Sequence, residues 1–178
     1  MAEGVAFDES PFRCELPLLD EHGTTIAAGA DDVWPVLLRT VDRALSGGTA
    51  VCCARAIGCA DRTASGPRPL AEGSTMPGFR VVAAVPATEL ALEGRHRFAA
   101  YSLTFRLERV AAGRSRLRAE SRAAFPGPTG GAYRLLVVGT GGHVTIVRHW
   151  LTTVRRRSER QPATRALLRR ADHERGRP

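Results

Sequence analysis

The sequence predicts an α+β chain in which a curved antiparallel sheet wraps around a long C-terminal helix. Three observations lead there. Residues 79–125 alternate apolar and polar side chains strand after strand, with one polar face. That pattern marks an antiparallel sheet wetted on one side. From Ala132 to about Ser158 the apolar spacing becomes helical. A sheet with one apolar face must bury it, and this helix is the only element long enough to do so. The 178 residues hold one such domain, with about 70 % of the unfolded surface buried on folding.

The elements follow in order. Residues 1–22 are acidic and punctuated by proline, and are read as an N-terminal extension with a short strand around Phe12–Leu19. The domain proper is placed at 23–158, opening with a strand at GTTIAA, residues 23–28. A helix comes next. Asp31 or Asp32 caps it, with carboxylates at the positive end of the macrodipole. Pro35 is placed in the first turn, where a missing N–H does no harm. Val33, Trp34, Leu37, Leu38, Val41 and Leu45 recur at helical spacing, and Gly47-Gly48 ends the run. Residues 49–74 are the least readable. TAVCCARAIGCA is either a second helix or a buried strand, and DRTASGPRPLAEGS is loop by composition.

The strands are plainer. Phe79, Val81, Ala83 and Val85 share one face. Leu90 and Leu92 do likewise before a predicted turn at Glu93-Gly94. Ala99, Tyr101, Leu103, Phe105 and Leu107 oppose Ser102, Thr104, Arg106 and Glu108. Ala112-Gly113 is a hairpin signal. Leu117, Ala119, Ser121, Ala123 and Phe125 then face in, and Arg116, Arg118, Glu120 and Arg122 face out. In the last helix Tyr133, Val137, Thr140, Val144, Val147 and Leu151 share one arc, and Ile146 and His149 point away from it. A bend is expected at Gly139, Gly141 and Gly142.

Charge narrows the function classes. All 26 basic residues are arginine, against 18 acids, for a net charge of +8. There is no lysine and no asparagine. Residues 155–178 hold nine arginines and three acids, so most of the excess lies at the C-terminus. Residues 159–178 are read as an arginine-rich tail. The sharp interpretation is a phosphate-binding arm. Nucleic-acid modules add aromatic platforms or a recognition motif, and the tail has neither, so nucleic acid is not the expected partner. The N-terminus MAEGVAFDES lacks the basic and apolar regions of a signal peptide. No apolar run approaches the ~18 residues of a membrane span. The expectation is a cytoplasmic protein without a membrane segment. Cysteines at 14, 52, 53 and 59 lack paired metal-ligand spacing and a neighbouring histidine. Free thiols are expected, and no metal or cofactor.

The site candidates come from the interior face. Phe79, Tyr101, Phe105, Ser121, Tyr133, Val137 and Thr140 face the space between sheet and helix. Aliphatic members are ordinary core. Tyr101, Ser121, Tyr133 and Thr140 need partners when buried, either backbone groups or a ligand. His96, between Arg95 and Arg97, is a candidate for a cavity mouth. His143, at the edge of the helix arc, is a candidate acid or base near neutral pH. No carboxylate falls on an interior face, because Glu108 and Glu120 point outward, so paired-carboxylate chemistry has no support. G-x-S-x-G is absent, and GTGGH lacks the lysine and the strand context of a phosphate loop.

Four stretches carry a resemblance: ADDVWPVLLRTVDRAL, LALEGRHRFAAYSLTFRLE, SRLRAESRAAFPG and AYRLLVVGTGGHVTIVRHWL. Together with element order, they resemble the SRPBCC superfamily over roughly residues 24–158. That superfamily includes START-like lipid-transfer domains, the birch-pollen-allergen fold and polyketide cyclase/aromatase proteins. The similarity is greatest to small, uncharacterised bacterial members, and Ala50–Ser74 departs from the family pattern. The resemblance implies a helix-grip fold with a cavity between sheet and C-terminal helix. It further implies a small hydrophobic ligand there, whether lipid, aromatic or polyketide-like, bound or carried without reaction. The alternative it implies is an enzyme of the cyclase/aromatase type, with Tyr101, His96 or His143 moving protons.

Overall fold

A computed structural model of the chain describes residues 16–137, 139 and 141–175, and the side chains of all of these except 129, 133, 136, 137 and 161–175. Six strands form one antiparallel sheet: β1 (Leu18–Ile26), β2 (Thr75–Met76), β3 (Phe79–Val85), β4 (Glu89–His96), β5 (Ala99–Ala111) and β6 (Arg114–Ala124). Their order across the sheet is β1-β6-β5-β4-β3-β2. The helices are α1 (Ala30–Leu45), α2 (Gly48–Ala56), α3 (Gly127–Val137) and α4 (Gly142–Arg175).

β1 starts at Leu18, so residues 18–22 belong to the sheet and not to an extension. Residues 12–15 of the strand expected at Phe12–Leu19 lie outside the described residues. β1 pairs with β6, Asp20 opposite Ser121 and Ile26 opposite Ser115. Its inward positions include Asp20 and His22, opposite the buried Ser121 and Ala119. Polar inward residues hide the strand from any count of apolar alternation.

α1 begins at Ala30, earlier than either aspartate predicts. Gly29 caps it through backbone, its carbonyl accepting from Asp32 N and Val33 N at 3.0 Å each. Asp31 and Asp32 fall in the first turn, where their charge still meets the dipole. Asp31 also receives the Arg109 guanidinium of β5 at 2.9 Å. With this start Pro35 lies in the second turn, and its missing N–H removes one helical bond. Gly47 caps α2, which settles the ambiguous 49–56 stretch as helix. The irregular segment after it is tied down by Arg68. Its guanidinium donates to the carbonyls of Ser65, Pro67 and Thr75 and pairs with Asp42 of α1 at 2.9 Å.

Glu93-Gly94 is not a turn. β4 runs through it, and the hairpin turns at Arg97-Phe98. Gly94 is there for clearance, because the Tyr101 ring lies against its Cα from the paired strand.

The single helix expected over Ala132–Ser158 is two helices. Gly141 has φ +68, a left-handed conformation that ends helical geometry, and α4 starts at Gly142. α4 then continues through residues 159–175, which the sequence sets apart as a tail. Its buried positions are Val147, Leu151, Val154 and Ser158. They pack on α1 and β1, so α1 and α4 cover the inner face together. The sequence assigns that task to the last helix alone. The amphipathic α1, with Val33, Leu37 and Val41 fully buried, takes its share.

The outer face is a charge lattice. Arg106 of β5 reaches Glu89 of β4 at 3.2 Å and Glu120 of β6 at 3.1 Å. Arg118 reaches Glu108 at 3.3 Å and Glu21 of β1 at 3.6 Å. The arginines of these pairs are partly exposed and each pair is of small energetic weight, yet the lattice sets Arg106 and Arg118 each between two carboxylates. No helix of the described residues is long and apolar enough to cross a membrane.

Candidate functional site

A cavity of about 440 Å³ lies between the inner face of the sheet and the first turns of α4, with the end of α1 at its side. That volume lies within the range of small-molecule sites. Its walls are mainly apolar: Leu103 from β5, Phe125 after β6, and Ile146, Val147 and Trp150 from α4.

One end is aromatic. Phe79 and Tyr101 meet edge-on, with centroids 5.1 Å apart and planes at 74°. His96 packs on Tyr101 at 5.4 Å. The Tyr101 hydroxyl donates to the Gly78 carbonyl at 2.7 Å, and the Cys59 thiol lies 3.9 Å away. Tyr101 therefore lines the cavity while a backbone group engages its hydroxyl. Burial, first, raises the Cys59 pKa against the lowering effect of the Tyr101 contact. His96 Nδ1 accepts the Phe98 N–H at 3.1 Å, which requires a lone pair on that nitrogen. Burial first, and the neighbouring Arg97 second, push the His96 pKa below its ordinary value.

The other end is polar. His143 opens α4 and shares a 2.9 Å hydrogen bond between Nε2 and Ser121 Oγ. The same Nε2 lies 3.8 Å from Asp20 Oδ2. That carboxylate oxygen is 3.9 Å from His22 Nε2. Asp20 Oδ1 and His22 Nε2 are buried with no hydrogen-bond partner. A carboxylate thus sits on the interior face after all, contrary to the sequence expectation. It comes from β1, whose register was not legible. Ser121, His143 and Asp20 are brought together, but not as a proton relay. Such a relay places the hydroxyl and the carboxylate on opposite ring nitrogens, and here both face Nε2.

Of the sequence candidates, Phe79, Tyr101, Ser121 and His143 line the cavity. Phe105 is 1 % exposed within the core cluster and is not a lining residue. His96 touches the site through the Tyr101 ring. The side chains of Tyr133 and Val137, and Thr140 entirely, lie outside the described residues. Ile146, expected to point away, lines the cavity while 51 % exposed. The helix break resets the phase on which that expectation rested. Among the described residues no three histidine, cysteine or acidic side chains gather as metal ligands.

No protein-family model matches the sequence, and no curated protein matches it. Solved structures do match. An aromatase/cyclase, Zhui from Streptomyces sp. R1128, superposes with a TM-score of 0.51 at 16% identity, covering 82% of this chain and 95% of that one. A protein from Thermobifida fusca gives 0.50 at 16% identity, covering 79% and 92%. At such identity the likeness is one of fold. With a six-stranded antiparallel sheet, a C-terminal helix laid across it and a cavity between them, the chain has a helix-grip fold, which it shares with these structures.

Proposed function

We propose that this protein binds or carries a small, largely apolar molecule in the cavity between the sheet and α4. The observation that carries this reading is the cavity: about 440 Å³, walled by Phe79, Leu103, Phe125 and Trp150. An empty space so lined forgoes dispersion contacts, and an apolar guest recovers them. Native mass spectrometry of the purified full chain, followed by solvent extraction, tests it. A stoichiometric apolar molecule is expected, or uptake of one after delipidation. A protein that neither carries nor takes up any apolar compound would rule the reading out.

A second reading is a cyclase/aromatase-type enzyme, and one observation favours it. The His143 imidazole faces the cavity beside a hydroxyl and a carboxylate. The Tyr101 hydroxyl is spent on the Gly78 carbonyl, so the shuttle role falls to His143. With a polyketide-like substrate, His143→Ala is expected to cut turnover about a hundredfold while binding persists. Turnover unchanged in that variant returns the site to binding alone.

A further inference from the structure

The polar end of the cavity has hydrogen-bonding capacity left over, and its layout favours one kind of ligand atom. Ser121 Oγ and Asp20 Oδ2 both lie against Nε2 of His143, at 2.9 and 3.8 Å. No partner to Nδ1 exists among the described residues. A carboxylate on the Nε2 side draws the ring proton to that nitrogen, because its negative charge stabilises an N–H dipole directed at it. Nδ1 is then left with the lone pair and acts as an acceptor. Asp20 Oδ1 is a second acceptor, buried and unpartnered. The nearby cation is already committed: the Arg122 guanidinium is held by Glu120 and the Leu16 carbonyl. The Ser121 hydroxyl and the His22 ring stand beside the Asp20 carboxylate, so what His143 presents to an otherwise apolar cavity is an acceptor.

We propose that this corner selects ligands carrying a hydroxyl donor, a phenol or an enol, at one end of an apolar body. His143 Nδ1 accepts the hydroxyl hydrogen. Asp20 is the positioning residue that holds His143 in the Nε2–H tautomer. The inference rests on the ligand-binding reading above and deepens it.

The test compares β-naphthol with its methyl ether on the full chain at neutral pH, by calorimetric titration. The two share an aromatic body and an oxygen, but only naphthol donates. Naphthol is expected to bind about tenfold tighter, the weight of one hydrogen bond. His143→Phe should erase the preference while leaving both probes bound. Asp20→Asn should weaken it. Nitrogen-15 spectra of the His143 ring supply a readout that a merely structural role would not move. Wild type should show a pyridine-like Nδ1 and a pyrrole-like Nε2, and Asp20→Asn should shift both toward a mixture. Equal affinity of the folded wild type for both probes overturns this proposal and leaves the ligand-binding reading standing. A proton on Nδ1 in the wild-type spectrum overturns it as well. If neither probe binds, the proposal falls, and the ligand-binding reading is decided by its own extraction test.

Discussion

Gly94 shows how tightly the aromatic end of the cavity is built. A Cβ placed there would stand 2.1 Å from the Gly78 carbonyl oxygen and 2.5 Å from the Tyr101 ring. The carbonyl belongs to the backbone and the ring is pinned by its hydroxyl, so neither yields cheaply. Gly94→Ala is therefore expected to cost about 3 kcal/mol, seen as a lower urea midpoint at unchanged slope. An unchanged midpoint would mean that the ring moves freely. His96 sets a second prediction at this scale. Its folded pKa lies below the ordinary value of 6.5, so the folded chain resists a proton that the unfolded chain accepts. Stability is then full above about pH 6.5 and declines as pH falls from there toward the folded pKa. Between about pH 8 and pH 5, wild-type Tm should drop further than that of His96→Gln. Equal drops would show that other groups carry the acid sensitivity.

Among the elements, α4 decides the shape of the site. It begins at Gly142 because Gly141 adopts φ +68. Gly141→Ala forces a side chain into that conformation and should cost about 1 kcal/mol in urea unfolding, with the fold retained. A stabilised variant would mean that the two helices join into one. The same break explains what the sequence conceals. β3 to β6 and α1 were legible because each presents apolar residues at the spacing of its own secondary structure. A periodicity count ran straight through 138–141, because apolar residues on either side share a phase by coincidence. β1 was misplaced for the opposite reason. Its inward face carries Asp20 and His22, which pattern alone assigns to solvent. The aromatic half of the site was therefore readable, and the polar half was readable only as Ser121 and His143. Their acidic partner lies about a hundred residues away in the chain and is brought in by strand pairing alone.

On the scale of the molecule, charge separates into two regimes. Arg106 and Arg118 on the outer face of the sheet are matched by glutamates on neighbouring strands, while Arg39, Arg43, Arg157 and Arg160 line one cleft between α1 and α4. Any affinity for duplex DNA is expected to be non-specific, with a log–log salt slope of about −0.9 per phosphate contacted. It should vanish when residues 159–178, which hold six arginines, are removed. Gel shifts that are equally strong before and after truncation would place the contact elsewhere.

The outer lattice also decides which reagents can see this surface. Each bridging cation is a guanidinium, whose planar fork spans two carboxylates where an ammonium would serve as a point charge. With no lysine in the chain, amine-directed cross-linkers and acylating labels find no side chain to modify. Arginine-selective dicarbonyls do find them, and their uptake at Arg106 and Arg118 registers how firmly neighbouring strands are laced together.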